Sequence, residues 1–250
     1  EDAPVRPAGT PHQPPGAWLV KRLMTDELSS KMRAYLGEIY QLADDSAASN
    51  DEYINTSAVA DRLNVSAPAV NRMINRLKEL GMLQHEPYQG VKLTEDGKRE
   101  ALKQVRGQRI AETFLVKVMG LNWEDIHEDA QMISSAIGDT ILNRMDEMAG
   151  HPTESPHGEP IPSADGSLPV ADDVPLYSAE AGAHVTVTRL RTRETDRLNY
   201  ISALGLTPGA TVEVLHIAPF DGPMQLKLGD EYRIIGHNLA EIIYVRPLSN

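Results

Sequence analysis

Apolar residues recur at intervals of three and four from Leu28 onward. Leu28, Met32, Tyr35, Leu36, Ile39 and Tyr40 mark one face of an amphipathic helix that starts near Asp26 and runs out in Asp44-Asp45-Ser46. A compact series follows. Thr56 is positioned to cap a helix bearing Val59, Ala60 and Leu63, Asn64-Val65 turns, and Ser66 opens a second helix with Pro68 in its first turn. On that second helix Val70, Ile74 and Leu77 form the inward stripe, with Met73 flanking it. Asn71, Arg72, Asn75 and Arg76 face the other way, and Gly81 ends the helix. Leu83 to Leu93 reads as a hairpin with Pro87-Tyr88-Gln89-Gly90 at its tip, and Thr94 caps what comes next.

The pattern then predicts a helix over Glu95–Val118, with a break or change of face near Gly107. A further helix runs from about Trp123 to Met148, capped by Asn122, with a core stripe of Ile126, Ala130, Ile133, Ile137, Ile141, Met145 and Met148. From Gly150 to Pro175 the chain is rich in Pro, Gly, Asp and Ser, the composition of a linker. Beyond it the period shortens to two. Strands are expected at His184–Arg191, Thr211–Leu215, Gln225–Leu228, Tyr232–Ile235 and Glu241–Arg246, with one short helix over Thr195–Leu204. The fold class is therefore mainly α with a small β domain: an N-terminal winged helix-turn-helix, a helical middle domain and a C-terminal SH3-like β-barrel.

Composition narrows the chemistry. The 250 residues include no cysteine, which removes disulfides, Cys-ligated zinc and thiol catalysis. No apolar run reaches the roughly 20 residues that span a bilayer, so no membrane partner is expected. Glu1 to Gly16 is polar and proline-rich, with no apolar signal region, and the cytoplasm is the expected location. Residues 1–17 carry five prolines and two glycines and read as a disordered tail. No glycine-rich phosphate loop or nucleophile–base set is present, so no enzyme activity is expected.

The formal net charge is −12, yet charge is unevenly placed. From Arg62 to Lys92 five basic residues face two acidic ones; from Gly107 to Glu180 three basic residues face fourteen acidic ones. The basic island coincides with the helix pair and hairpin. Asn pairs with adenine and Arg with guanine in the major groove, while a wing contacts phosphates. Ser66, Ala67, Pro68 and Ala69 at the helix entry, Asn71, Arg72, Asn75 and Arg76 on its outer face, and Tyr88 and Gln89 on the wing are the candidate contacts to double-stranded DNA. An ordinary helical hairpin with solvated Arg and Asn is the plainer alternative.

Several motifs in order resemble the diphtheria-toxin-repressor family of iron- and manganese-responsive transcriptional regulators. They are Tyr35-Leu36-Gly37-Glu38-Ile39-Tyr40, Val65-Ser66-Ala67-Pro68-Ala69-Val70, Gly90-Val91-Lys92-Leu93-Thr94-Glu95-Asp96-Gly97 and Ser155-Pro156-His157-Gly158-Glu159-Pro160-Ile161-Pro162. Leu204-Gly205-Leu206-Thr207-Pro208-Gly209 adds a resemblance to the FeoA/SH3-like module. The resemblance covers about residues 28–250. It implies a homodimeric repressor in which metal acts as co-repressor by holding the first helix in a DNA-compatible position. Domain boundaries follow: 1–25 a disordered extension, 26–98 the winged helix-turn-helix, 99–150 the helical dimerisation and metal-site domain, 151–180 a linker, and 181–250 the FeoA/SH3-like domain.

The residues mapped onto the family's metal sites depart from it. The primary site falls on Ala34, Gly37, His127, Gln131, Ser134 and Ser135; two lack a side-chain donor and three are weak ones, so the site reads as dismantled. The ancillary site falls on Gln108, Glu112, His127, Glu194 and Arg197. Glu112, His127 and Glu194 would form a facial set for Mn2+ or Fe2+, with Zn2+ possible and Gln108 and Gln131 as further donors. Arg197 argues the other way, since it can replace the ion with a salt bridge. His151 and His157 are read as turn residues of the linker, His184, His216 and His237 as scattered through the barrel, and His85 in the wing as at most a phosphate contact. Trp18, Leu19, Val20, Leu23 and Met24 form a short apolar segment expected to lengthen the first helix or cover a core edge, the alternative being that it takes over the ordering that metal does in the family.

The sequence thus points to a dimeric, sequence-specific DNA-binding regulator of metal-homeostasis genes, a repressor by resemblance. Its primary metal site is lost and its ancillary site partly kept; metal independence is open. The alternatives are a fully metal-dependent repressor with a non-standard site, and a protein-interaction or sensor module that does not act through DNA.

Overall fold

A computed structural model describes residues 28–45, 53–169 and 171–248. The proline-rich tail and the apolar segment from Trp18 to Met24 lie outside the described residues. The first domain contains α1 (Ser30–Asp45), α2 (Thr56–Arg62), α3 (Ala67–Glu79) and the antiparallel hairpin β1 (Leu83–Glu86) and β2 (Gly90–Leu93). Tyr35, Leu36, Ile39 and Tyr40 of α1 pack on Val59 of α2 and on Val70, Ile74 and Leu77 of α3. Each of those aliphatic side chains contributes about 1.5–3 kcal/mol by leaving water. The cap of α2 is Asn55 rather than Thr56: its Oδ1 accepts from Ser57 N at 3.0 Å. Asn and Thr are adjacent good caps, and the backbone places Asn55 in the extended cap position. Asn64 makes the turn into α3 with φ 49°, a conformation Asn tolerates better than most residues.

Thr94 caps α4 (Glu95–Lys117), accepting from Gly97 N at 3.1 Å. The expected break at Gly107 is absent, and the helix runs through it. Gly107 is buried under the next two helices, where a Cβ would lie 3.6 Å from Ser134 Cβ and 3.7 Å from Leu142 Cδ2. The single helix expected over 123–148 is two, α5 (His127–Ala136) and α6 (Asp139–Met148). Ile137 turns extended and Gly138 caps α6, because glycine is a poor helix former and Asp139 suits a first turn. The split redirects the stripe. Ile126, Ala130 and Met145 are buried, whereas Ile141 and Met148 are half exposed.

The expected linker is folded for much of its length. Ser155, His157 and Ile161 are buried, and Ile161 N donates to Thr153 O at 2.8 Å. Proline carbonyls in this stretch are taken by α4: Arg106 donates to Pro162 O and Arg109 to Pro160 O. Proline removes donors and fixes an extended backbone, so a Pro-rich stretch can be ordered if arginines bond its carbonyls.

The third domain has β3 (Val174–Pro175), a 3₁₀ turn over Leu176–Ser178, β4 (His184–Leu190), α7 (Thr195–Ala203), β5 (Thr211–Ile217), β6 (Met224–Leu228), β7 (Glu231–Ile235), α8 (His237–Ala240) and β8 (Ile243–Pro247). The strands pair antiparallel in the order β3-β8-β4-β5-β6-β7, an open SH3-like sheet with β3 and β7 at its edges. Its inner face, led by Val185, Val187, Val212, Val214 and Leu226, closes over Leu198 and Ile201 of α7. Among the described residues three core clusters result, and α4 contributes to two of them, with Ala101, Leu102 and Val105 in the first and Ile110, Ala111 and Leu115 in the middle one. Trp123 of the middle segment packs on the third core, and Leu168 on the first.

Candidate functional site

The outward face of α3 is built by subtraction. Val70, Ile74 and Leu77 are fully buried, so the helix periodicity leaves Asn71, Arg72, Asn75 and Arg76 exposed together. Ser66, Ala67 and Pro68 are exposed at the helix entry and Ala69 is partly buried. Ser66 holds the cap backbone, but its side chain makes no cap hydrogen bond. Arg76 is drawn sideways to Glu79, 3.1 Å away on the next turn. On the hairpin tip Tyr88 has φ 68° and is fully exposed, and Gln89 is exposed beside it. An aromatic residue held with positive φ in solvent gains nothing from packing.

A second constellation lies where the three domains meet. Glu112 of α4 is buried, and its Oε1 accepts from His127 Nδ1 at 3.0 Å and from Gln108 Nε2 at 3.3 Å. Gln108 Nε2 also lies 3.1 Å from His127 Nδ1 and 3.2 Å from its Nε2. From the other side His157 brings Nδ1 to 3.8 Å of Glu112 Oε2, while its Nε2 donates to Trp123 O at 2.9 Å. Burial works against ionising Glu112. The hydrogen bonds and charges of His127 and His157 outweigh it and hold the carboxyl well below the usual carboxylate range. A cavity of about 60 Å³ adjoins this cluster, and Gln41, whose buried Oε1 has no hydrogen-bond partner among the described residues, helps line it.

Of the residues the resemblance placed at the ancillary site, the structure gathers Gln108, Glu112 and His127 and leaves Glu194 out. Glu194 is exposed and pairs with Arg197, 2.9 Å away. In its place stands His157, which sequence reading assigned to a turn. Its signal was present in the Ser155-Pro156-His157-Gly158 motif; what hid it was the linker-like composition around it. Gln131 is partly buried one turn along α5 from His127, and its carbonyl accepts from Ser134 Oγ at 3.1 Å.

The donor sets decide how a metal would fit. At the positions mapped to the primary site, Ala34 and Gly37 bring no donor, and Ser134 and Ser135 spend their hydroxyls on the carbonyls of Gln131 and Met132. A Cβ at Gly37 would stand 3.1 Å from Gln104 Cγ, so the space beside it is already filled. These residues do not fit a divalent cation. Glu112, His127 and His157 have suitable chemistry, one carboxylate and two imidazoles, but their polar atoms satisfy one another. Among the described residues no group of three or more His, Cys, Asp or Glu side chains is arranged around a common ion position.

A helix-turn-helix with a polar outer face and a wing, followed by a helical domain and a small antiparallel sheet, defines a class: winged-helix transcriptional regulators with a third, SH3-like domain. Comparison with known proteins narrows it. Residues 27–91 match the N-terminal DNA-binding domain of iron dependent repressors, residues 94–163 their metal binding and dimerisation domain, and residues 174–247 the FeoA domain. The chain is 29% identical over 235 residues to the iron-dependent repressor IdeR of Mycobacterium tuberculosis, covering 89% of this chain and 100% of that protein. It is 24% identical over 200 residues to the diphtheria toxin repressor of Corynebacterium efficiens, covering 76% of this chain and 85% of that one. A manganese-dependent transcriptional repressor solved with manganese superposes with a TM-score of 0.79 at 31% identity, over 87% of this chain and all of that one. The chain belongs to the iron-dependent repressor family, a family of metal-dependent transcriptional repressors with a DNA-binding domain. Among the described residues no helix is long and apolar enough to cross a membrane.

Proposed function

We propose that this chain is a homodimeric, sequence-specific DNA-binding repressor of metal-homeostasis genes that binds its operator without a metal at the primary position. The observation that carries the reading is the pairing of a fully exposed recognition face with a primary site whose residues offer an ion no competent donors. Asn71, Arg72 and Asn75 read base edges; Ser66, Ala67, Pro68 and Ala69 let the helix end approach the groove. Arg76, Tyr88 and Gln89 position the domain on the backbone. Dimerisation uses the middle domain, where Met132, Ile141 and Met148 are exposed. Buried ion pairs and the Glu112 cluster give the domains the fixed relation that metal supplies in the family.

Base readout is tested by selecting duplexes from a random library with the wild-type protein and measuring the affinity of Arg72→Ala for each. The expected loss is about 1–3 kcal/mol on the best sequence, with a flattened preference. An Arg72→Ala protein that ranks and binds every duplex like wild type contradicts the assignment of α3 as the reading helix.

A second reading rests on the cluster itself. Glu112, His127 and His157 would hold Mn2+, Fe2+ or Zn2+, whose charge would tie α4, α5 and the 155–160 turn together. The hydrogen bond from His157 Nε2 to a carbonyl is the arrangement that orients a ligating imidazole.

A further inference from the structure

The third domain also reaches the first, through two arginines on the segment that leaves β4. Arg193 Nη1 donates to both oxygens of Glu38, at 3.2 and 3.0 Å. Glu38 lies on α1, is only 4% exposed, and also has Arg62 Nε of α2 at 3.4 Å. Two residues before Arg193, Arg191 pairs with the carboxylate of Asp44 at 3.3 Å and donates to the Asp44 carbonyl. Arg191 is itself fixed from behind: its Nη1 bonds Tyr244 Oη at 2.9 Å, its guanidinium lies 5.2 Å from that ring's centroid, and its backbone N–H donates to Ile242 O. One strap of the third domain therefore grips α1 at two carboxylates about 1.7 turns apart.

We propose that Arg191 and Arg193 form an ion-pair latch through which the third domain fixes α1 in its DNA-competent position, in place of the metal that does this work elsewhere in the family. The inference rests on the metal-independent reading above and names what holds the helix. Glu38 immediately follows Gly37, one of the two α1 positions mapped to the primary metal site, so the same turn of the helix is held by guanidinium charge. A buried carboxylate demands such a partner, because leaving it unpaired costs far more than the pair gains. Arg62, from the helix that precedes the recognition helix, shares the carboxylate, so a shift of α1 is felt at the helix-turn-helix. With the latch engaged, Asn71, Arg72, Asn75 and Arg76 are all exposed, so the closed arrangement leaves the DNA face open. The latch is partly buried, which shields it from salt more than a surface pair.

The experiment uses the full chain, stripped of metal with chelator, as wild type, Arg193→Ala and Arg193→Lys. Two quantities are read: amide hydrogen exchange across residues 30–45, and affinity for a duplex selected by the wild-type protein. Arg193→Ala should speed exchange of α1 and weaken DNA binding, each roughly tenfold, while Arg193→Lys restores most of both by keeping the charge. Unchanged exchange in Arg193→Ala overturns the latch. So does faster exchange with unchanged or tighter DNA binding, since α1 would then be held for no purpose at the DNA. A wild-type protein that binds no duplex sinks the DNA-binding reading instead, and the exchange arm still decides whether Arg193 fixes α1.

Discussion

At Gly158 the chain turns with φ +80°, and a Cβ there would lie 1.9 Å from the carbonyl oxygen of Thr188 on β4. Backbone cannot retreat from that contact cheaply. The neighbouring His157 carbonyl accepts from Leu190 N at 2.9 Å, so this one turn joins the middle domain to the third. Gly158→Ala should destabilise the protein by about 1–3 kcal/mol through strain and lost docking. A lower urea midpoint is the expected outcome, and an unchanged midpoint contradicts the role given to the turn. The same turn shows where sequence reasoning stopped short. Asn71, Arg72 and Tyr88 were legible because helix period and a hairpin tip decide which side chains face water. His157 was not, because its burial against Glu112 depends on a fold-back across 45 residues that local composition disguised.

Among the elements, α4 carries the most cross-domain contacts that local pattern could not announce. It runs unbroken through Gly107, although glycine in mid-helix suggested a break. The space above Gly107 is ordinary contact distance to Ser134 and Leu142, so a methyl group fits. Gly107→Ala is therefore expected to stabilise the protein by about 0.5–1 kcal/mol, seen as a higher melting temperature. A fall would mean that α5 and α6 sit closer to α4 than these distances allow. The first domain was legible almost residue by residue: the stripe Val70, Ile74 and Leu77, the hairpin and its tip, and the Thr94 cap all follow from short-range rules. The division of 123–148 into α5 and α6 was announced by Gly138-Asp139, but a continuing apolar period over Ile133, Ile137 and Ile141 concealed it. The ordered 151–163 stretch was hidden because its carbonyls are satisfied by Arg106 and Arg109, far away in sequence.

For the whole molecule, the proposed dimer interface is the exposed apolar surface of the middle domain. Met132, Ile141 and Met148 are each at least half exposed in the single chain, within the region matched to the family's dimerisation domain. Replacing Met132 and Ile141 together with Lys should weaken self-association at least tenfold, read by sedimentation velocity as a shift toward monomer. An unaffected dimer would place the interface elsewhere. The three cores meet around Glu112, Glu38 and the 155–160 turn. In the proposed reading, charge and hydrogen bonds there do the positioning that an ion would provide, so removal of metal is expected to leave the arrangement standing.

The most direct test measures operator affinity of the chelator-treated full chain, alone and then with Mn2+, Fe2+ or Zn2+ added. The account predicts tight binding by the stripped protein, changed less than about threefold by any ion. Binding that is absent without metal and appears with one of these ions would contradict it, and would assign the control of DNA binding to Glu112, His127 and His157.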